Sequence, residues 1–325
     1  MTNKPNILVT GGAGYIGSHV VKLLSDEGYP VHIIDNMSTG REENIDPRAT
    51  FQKGDILNPS DLKEAFNRPV EVVFHFAALK AAGESMTDPH KFAVSNIWGS
   101  IQLLGAMLEH DVKNIVFSSS AAVYGNPEYL PIDEKHPLNP TNYYGYTKLA
   151  IEENLKWYSD LKGIKYAALR YYNATGYNIE GKILGQEYSP TNLSPVVMEV
   201  AAGTREQVDV FGTDYDTSDG TGVRDYIHVD DLASAHLKGM LYLLEKKESL
   251  LVNLGTGRGN SVLEIIEAAQ KASGREIKKR LVGRRAGDPS EIYADPSLAK
   301  RVLDWEAKHS DLETIFKSMC PVYLK

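Results

Sequence analysis

Tyr144 and Lys148 stand four residues apart in Asn142-Tyr143-Tyr144-Gly145-Tyr146-Thr147-Lys148. The residues that follow, Leu149, Ala150, Ile151, Leu155 and Trp157, have helical spacing. Positions i and i+4 share one face of a helix, so a phenol and an ammonium can reach one site together. A free phenol ionises near pH 10, too high for a base at neutral pH. One cation about 6 Å away, at an effective dielectric of about 20, contributes roughly 3 kcal/mol and brings the phenol to about 8. A second cation would complete the activation, and an oxidised nicotinamide ring carries one. The pair therefore makes sense as a proton-transfer device beside a nicotinamide cofactor. Tyr143 is the rival phenol, but its i+4 partner Thr147 carries no charge. The same spacing also arises where a tyrosine packs and a lysine stem runs out to water, so the rest of the chain must decide.

The elements before this helix supply a frame for such a cofactor. Asn6–Thr10 is a short apolar run, Ser18–Asp26 has helical periodicity, and Val31–Asp35 is a second short strand. Between the first two lies Thr10-Gly11-Gly12-Ala13-Gly14-Tyr15-Ile16-Gly17. Gly11, Gly14 and Gly17 let the backbone turn tightly and approach a pyrophosphate, with Tyr15 and Ile16 opening the helix that receives its charge. Asp35 and Asn36 end the second strand, where a carboxylate accepts hydrogen bonds from the adenine-ribose hydroxyls. A carboxylate there repels a 2′-phosphate and favours NAD over NADP; Arg41 nearby is the contrary signal. Thr50–Lys53 is a third strand, and the following Asp55-Ile56 either edges an adenine or caps a turn.

Glu71–Phe76 reads as a buried strand running into Ala77-Ala78-Leu79-Lys80, and the small residues permit close approach of a cofactor. His75 reads as a core or strand-end histidine. Asp88–Glu109 reads as a helix with Pro89 in its first turn, and Asn96 on it is either a buried hydrogen-bonding residue or a tolerated polar position. Asn114–Phe117 is a fifth strand, leading into Ser118-Ser119-Ser120. Ligands of open α/β sheets bind at the carboxyl ends of strands, so hydroxyls there face a nicotinamide, although a serine run also forms turns well. A proline-rich loop, Pro127 to Pro140, precedes the Tyr144 helix. Lys165–Tyr172 is a sixth strand ending at Asn173. The alternation is that of an α/β protein with a Rossmann-type doubly wound parallel sheet.

Composition narrows the class. The chain has 325 residues, 42% of them hydrophobic, enough for one large α/β unit or two domains. Its net charge is −8 without a basic block, which argues against nucleic acid or an anionic membrane as a partner. No apolar run approaches a membrane span. The opening Met-Thr-Asn-Lys-Pro leads directly into a strand, so no signal peptide is expected. The single cysteine, Cys320, excludes a disulfide framework and fits a reducing cytoplasm. The nine histidines fall in no metal-ligand spacing, and no metal is expected.

The order glycine turn, Asp35, strand-end serines and Tyr144-x-x-x-Lys148 resembles the extended short-chain dehydrogenase/reductase family. Phe117-Ser-Ser-Ser-Ala-Ala-Val-Tyr-Gly125 and Gly220-Thr-Gly-Val-Arg-Asp-Tyr-Ile-His-Val229 narrow the resemblance to its UDP-sugar 4-epimerase branch, over Ile7 to about Leu303. The resemblance implies Tyr144 as acid/base, Lys148 as its electrostatic partner and ribose anchor, and Ser120 as a hydrogen bond to the sugar 4-hydroxyl. It sets Phe76, Ala77, Ala78, Lys80, Asn96, Ser118, Tyr171 and Tyr172 around NAD. Asn173, Asn192, Leu193, Phe211, Arg224, Arg285 and Asp288 would bind the nucleotide of the UDP-sugar, and Ile292 would gate an N-acetyl group. Arg224 and Arg285 offer a diphosphate the guanidinium forks that an acidic protein otherwise lacks, and each alone also reads as a surface ion pair. The segment 176–195 departs from the family's wording.

The implied reaction is redox-neutral inversion at C4, UDP-galactose to UDP-glucose, through a 4-keto sugar with tightly bound, recycled NAD. The nucleotide is held firmly and the hexose loosely. An N-acetylhexosamine or pentose substrate is the alternative. A dehydratase needs carboxylic residues beside the serine, where Ala121 and Ala122 stand. A simple reductase and a non-catalytic dinucleotide sensor are the remaining rivals; the sensor has no use for an activated phenol. The expected domains are residues 1–173 with 222–247 for NAD, and a smaller discontinuous α/β substrate domain of 174–221 with 248–325. Leu251–Gly255, Ser261–Ala272 and Leu298–Leu303 are assigned to the latter. The family suggests a homodimer through two helices, for which Asp88–Glu109 and Asn142–Leu161 are the candidates.

Overall fold

The computed structural model describes residues 4–187, 190–285 and 288–324. The chain forms two compact units. The first comprises residues up to Gly125, Leu138–Arg170 and Ala233–Val252; the second comprises Asn126–Pro137, Tyr171–Leu232 and the residues from Asn253 onward.

The first unit is built on a seven-stranded sheet. Its strands are β1 (Ile7–Thr10), β2 (Val31–Asp35), β3 (Thr50–Lys53), β4 (Val72–His75), β5 (Asn114–Ser120), β6 (Lys165–Tyr171) and Leu250–Leu254. Their spatial order is Leu250–Leu254, β6, β5, β4, β1, β2, β3. The pairs β1–β2, β2–β3, β1–β4 and β4–β5 are parallel. The chain runs outward from β1 through β2 to β3, then returns to β4 on the other side of β1. That reversal opens a crevice at the carboxyl ends of β1 and β4, where open α/β sheets bind ligands. β1 and β2 are buried along their whole length, so both read as continuous apolar runs and not as alternating ones. Leu8, Ile34, Val73, Ile115 and Phe117 of the sheet pack with Leu103, Leu104 and Met107 of the Gly99–Glu109 helix and with Ile151 and Leu155 of the Tyr143–Lys162 helix.

Two local details differ from the sequence reading. The single helix expected over Asp88–Glu109 is a short α-helix Pro89–Phe92, a π-helical turn Ala93–Trp98 and an α-helix Gly99–Glu109. Asp88 caps it by accepting from the Lys91 amide at 3.0 Å. A wide turn inserts no break in composition, so spacing does not reveal it, and such turns concentrate at functional sites. The Leu251–Gly255 run, assigned by sequence to the smaller domain, is hydrogen-bonded beside β6 as the outer strand of the large sheet. A five-residue apolar run does not say which sheet it joins.

The second unit carries short strand pairs. Asn173–Thr175 lies parallel to Tyr226–His228, and Val208–Phe211 parallel to Lys279–Val282. Val223–Arg224 is flanked by Asn260–Ser261 and Glu291–Ile292. Helices Leu193–Ala202, Val262–Ser273 and Leu312–Tyr323 pack on one another. Ser261 and Glu264 form a reciprocal capping box that starts the middle helix, which fits the helical period read at Ser261–Ala272. No helix among the described residues is long and apolar enough to cross a membrane.

Candidate active site

The glycine turn is held shut by its own backbone. Gly11 has φ 74°, and a Cβ on it would lie 2.7 Å from the Ala77 nitrogen. A Cβ on Gly17 would lie 2.2 Å from the Gly11 carbonyl oxygen. Both positions therefore require glycine, one for conformation and one for space. The helix Tyr15–Asp26 starts on Gly14, and among the described residues no side chain caps it. Its first-turn N–H groups and its dipole can thus meet an anion.

Asp35 is buried at the end of β2. Its Oδ2 accepts from the Ala13 amide at 3.0 Å and its Oδ1 from the Met37 amide at 2.9 Å. Burial pushes its carboxyl above the ordinary value, and the two amides pull it back. A carboxylate has about four lone-pair sites, so roughly two are left for a ribose diol. Asn36 donates to Asp55 at 2.9 Å, while the other oxygen of Asp55 accepts from the Leu57 amide at 2.8 Å. Asp55 is therefore both a turn cap and a partner of Asn36. Ile56 beside it is buried in the core.

Asn96 sits fully buried on the π-turn and holds the segment after β4. Its Oδ1 accepts from the Leu79 amide at 2.8 Å, and its Nδ2 donates to the Leu79 carbonyl at 2.9 Å and to the Thr147 hydroxyl at 3.1 Å. Thr147 in turn donates to the Tyr144 carbonyl at 2.7 Å. One asparagine thus ties the Phe76–Lys80 segment to the helix that carries the tyrosine. Lys80, at the far end of that segment, is exposed. His75 is a core histidine: it bonds Thr10 and Ser100, each at 2.8 Å. Burial, then the nearby Lys148, lowers its pKa to about 3, so it is neutral.

The helix Tyr143–Lys162 begins on Asn142, whose side chain accepts from the Gly145 amide at 2.9 Å. Gly145 allows the helix to press against the chain leaving β5; a Cβ there would lie 2.4 Å from the Ala122 carbonyl oxygen. Ser120 accepts from the Ala122 amide at 3.2 Å, which leaves its proton to donate to the Tyr144 phenol oxygen. Lys148 donates to the Ser118 carbonyl at 2.7 Å, and its Nζ lies 5.8 Å from the centre of the Tyr144 ring. The separation agrees with helical spacing, but the electrostatics differ from the sequence argument. Helical spacing reveals the cation but not the burial. Burial, the largest influence, raises the Tyr144 phenol, and Ser120 works against it. Burial also lowers Lys148 to about 7, opposed by Glu152. A second cation beside this pair is thus needed more than spacing alone suggests.

In the second unit, Arg224 lies between Val223 and Ser290, donating to their carbonyls at 2.9 and 3.4 Å, with Asp288 4.0 Å away. Ile292 is its partner on the neighbouring strand. The Arg285 guanidinium stacks on Phe211, 3.8 Å from the ring centre. Asn173 donates to the Asp225 carbonyl from both its amide and its side chain, at 3.0 and 3.2 Å. Asn192 and Leu193 form the start of the Leu193–Ala202 helix. Tyr171 is buried and Tyr172 half-buried. Tyr188 and Ser189, in the segment that departs from the family's wording, lie outside the described residues.

Sequence reasoning missed three supports. Ser85 accepts the Tyr144 amide at 3.0 Å. Asp225, pushed up to about 6 by burial, accepts from the Thr256 amide and hydroxyl and from the Ala294 amide, anchoring the strand that carries Arg224. Glu152 pairs with Arg170 behind the serines. The i+4 spacing of Lys148 and Glu152 sets that carboxylate on the lysine's face, but its pairing with Arg170, like the other two supports, depends on distant chain.

A glycine turn after β1, an acid ending β2 and a tyrosine–lysine pair beside a strand-end serine define a dinucleotide-binding enzyme of the short-chain dehydrogenase type. Residues 7–255 match the NAD dependent epimerase/dehydratase family, and the chain belongs to it. It is 44% identical over 314 residues to a UDP-glucose 4-epimerase of Lacticaseibacillus casei, covering 96% of this chain and 95% of that one. It is 47% identical over 322 residues to the Homo sapiens UDP-glucose 4-epimerase, covering 93% and 91%. The crystal structure of UDP-glucose 4-epimerase from Brucella ovis in complex with NAD superposes with a TM-score of 0.96 at 44% identity, covering 98% of each chain.

Proposed function

We propose that this protein inverts C4 of a UDP-sugar, interconverting UDP-galactose and UDP-glucose, with NAD retained between turnovers. The observation that carries it is the Ser120–Tyr144–Lys148 arrangement at the carboxyl end of β5. The residues fit NAD: the uncapped helix start behind Gly11, Gly14 and Gly17, with Tyr15 and Ile16, would hold the pyrophosphate, and Asp35 with Asn36 the adenine ribose. Asp55 and Ile56 would edge the adenine. Phe76, Ala77, Ala78, Lys80, Asn96, Ser118, Tyr171 and Tyr172 would serve the nicotinamide end. When bound, NAD supplies the acceptor for the C4 hydride and the means to return it to the other face of the 4-keto sugar.

Tyr144, as phenolate, takes the proton of the 4-hydroxyl and later gives it back. Ser120 donates to the phenolate oxygen and favours that form. Lys148, fixed by the Ser118 carbonyl, supplies positive charge beside the tyrosine and would hold the cofactor ribose. No step needs a further acid or base, and Ala121 and Ala122 follow Ser120 where a dehydratase would carry them. Glu152, the carboxylate that meets the serine run, is bound to Arg170 and Ser119.

The first unit is the NAD-binding part and the second binds the nucleotide. Arg224 and Arg285 meet the diphosphate, Phe211 the base or ribose, and Asn173, Asn192, Leu193 and Asp288 supply polar and backbone contacts. Ile292, intermediate in size, leaves room for some enlargement of the sugar, so UDP-N-acetylhexosamines are the second substrate class to assay. The protein acts in the cytoplasm as a homodimer. Trp98 on the π-turn and Trp157 and Leu161 on the Tyr143–Lys162 helix are 50%, 64% and 68% exposed, an apolar set suited to a second copy. Purified protein incubated with UDP-galactose and no added cofactor is expected to yield UDP-glucose. No conversion, with or without added NAD, defeats the proposal.

A further inference from the structure

Three consecutive residues at the end of β5 grip one face of the Tyr143–Lys162 helix. Ser120 reaches the Tyr144 phenol, the Ser118 carbonyl takes the Lys148 ammonium, and the Ser119 hydroxyl donates to Glu152. Tyr144, Lys148 and Glu152 stand at i, i+4 and i+8, one above another on the helix. The first two rungs belong to the proton-transfer site. The third does not touch the reacting groups, yet it is the most firmly built. Arg170 on β6 donates to both oxygens of Glu152, from Nε at 2.9 Å and from Nη2, and its Nη1 donates to the Tyr124 hydroxyl at 2.9 Å. Ser119, Glu152 and Arg170 are 1%, 5% and 2% exposed.

A buried ion pair is a poor way to gain stability, because desolvation cancels most of the attraction and apolar packing often serves as well. A two-point guanidinium–carboxylate pair does fix geometry. Here the geometry it fixes is that of the carboxylate under the serines. Ser119 follows Ser118 and precedes Ser120, so whatever holds its side chain sets where its neighbours meet the helix.

We infer that Glu152, locked by Arg170, is a positioning residue: through Ser119 it sets the register of the β5 end against the helix, so that Ser120 and Ser118 meet Tyr144 and Lys148. The inference rests on the proposed role of Tyr144 as acid/base. Glu152 acts through Ser119 and not on the substrate. Its charge also opposes the loss of the Lys148 proton that burial favours. Among the described residues, the ionisable groups around Lys148 include Tyr144 and Glu152 on its own helix, neutral His75 on β4 and, bound to Glu152, Arg170 on β6.

Ser119→Ala removes the third rung and leaves the Glu152–Arg170 pair intact, so the protein keeps its fold. Ionisation of Tyr144 is read in the holoenzyme by tyrosinate absorbance against pH, with Tyr144→Phe subtracted; kcat and KM for UDP-galactose are read alongside. The expected result is a Tyr144 midpoint about one pH unit higher and kcat about tenfold lower with KM within about twofold, the signature of a misplaced activating pair and not of lost binding. A Tyr144 midpoint unchanged in Ser119→Ala overturns the inference, whatever the variant's melting temperature. The titration needs no turnover. A wild type that converts no UDP-sugar would therefore defeat the proposed function while this measurement still decides the positioning role.

Discussion

The two regions assigned to chemistry and to nucleotide recognition are built on opposite principles. Around Tyr144 the charges are buried and bonded, Lys148 to a carbonyl and Glu152 to Arg170, and His75 is neutral between two hydroxyls. Around Arg224 and Arg285 the charges stay near water. The Arg224 side chain is 20% exposed, Asp288 is 42% exposed and 4.0 Å away, and Arg285, itself exposed, stacks on Phe211. In the first region low dielectric makes each charge costly, so each is held in place and the protonation states are tuned. In the second the guanidiniums remain available for a ligand that brings its own negative charge. Proton transfer calls for rigidity, and a diphosphate for cations that carboxylates hold only loosely.

The comparison breaks most sharply at the tyrosine. Tyr144→Phe is expected to lower kcat by about 10³-fold or more, the range of a lost general acid/base, while the purified protein still carries NAD. Steady-state turnover and release of cofactor by acid measure both, and near-normal turnover would remove Tyr144 from the mechanism. In the other region Arg224→Leu is expected to raise KM for UDP-galactose about 30-fold, in keeping with loss of one charged hydrogen bond worth roughly 2 kcal/mol, with kcat within about threefold. A fall in kcat with unchanged KM would place Arg224 in the chemistry and erase the contrast.

Gly145→Ala tests the rigidity of the first region. Its new methyl meets the Ala122 carbonyl and must push helix from strand, so we expect about 2 kcal/mol lower stability and a kcat about tenfold lower. Denaturant melts and kinetics read the two, and unchanged values would mean that the packing yields freely. The smallest effect is a pH slope. The folded pKa of His75, about 3, lies below its unfolded value near 6.5. Its contribution to stability is therefore fully present above pH 6.5 and lost as pH falls toward 3. In that window the unfolded state binds the extra proton, a slope of up to about 1.4 kcal/mol per pH unit. His75→Gln should flatten that slope in the difference between the two proteins' melts, and parallel curves would contradict a neutral buried imidazole.

The same contrast explains what could be read from sequence. The glycine turn, Asp35 and the Tyr144–Lys148 pair are set by local spacing, and the structure places them as the spacing implies. Burial is not local: it reverses the direction in which the Tyr144 phenol moves, and nothing in a helical register announces it. The role of Asn96 was open because it depends on a π-turn and on Leu79, seventeen positions back. The Glu152–Arg170 pair joins helix to β6, and Asp225 joins three separate segments. Such partners meet only after the sheet has formed.

A redox-neutral inversion at C4, with the cofactor carried by the protein, returns to the sugar the same hydride that it gave up. UDP-galactose bearing deuterium at C4 is incubated with purified protein and no added cofactor, and the product is examined by NMR. The expected product is UDP-glucose that still holds its deuterium at C4. Product with hydrogen at C4, or no UDP-glucose at all, would contradict that inversion.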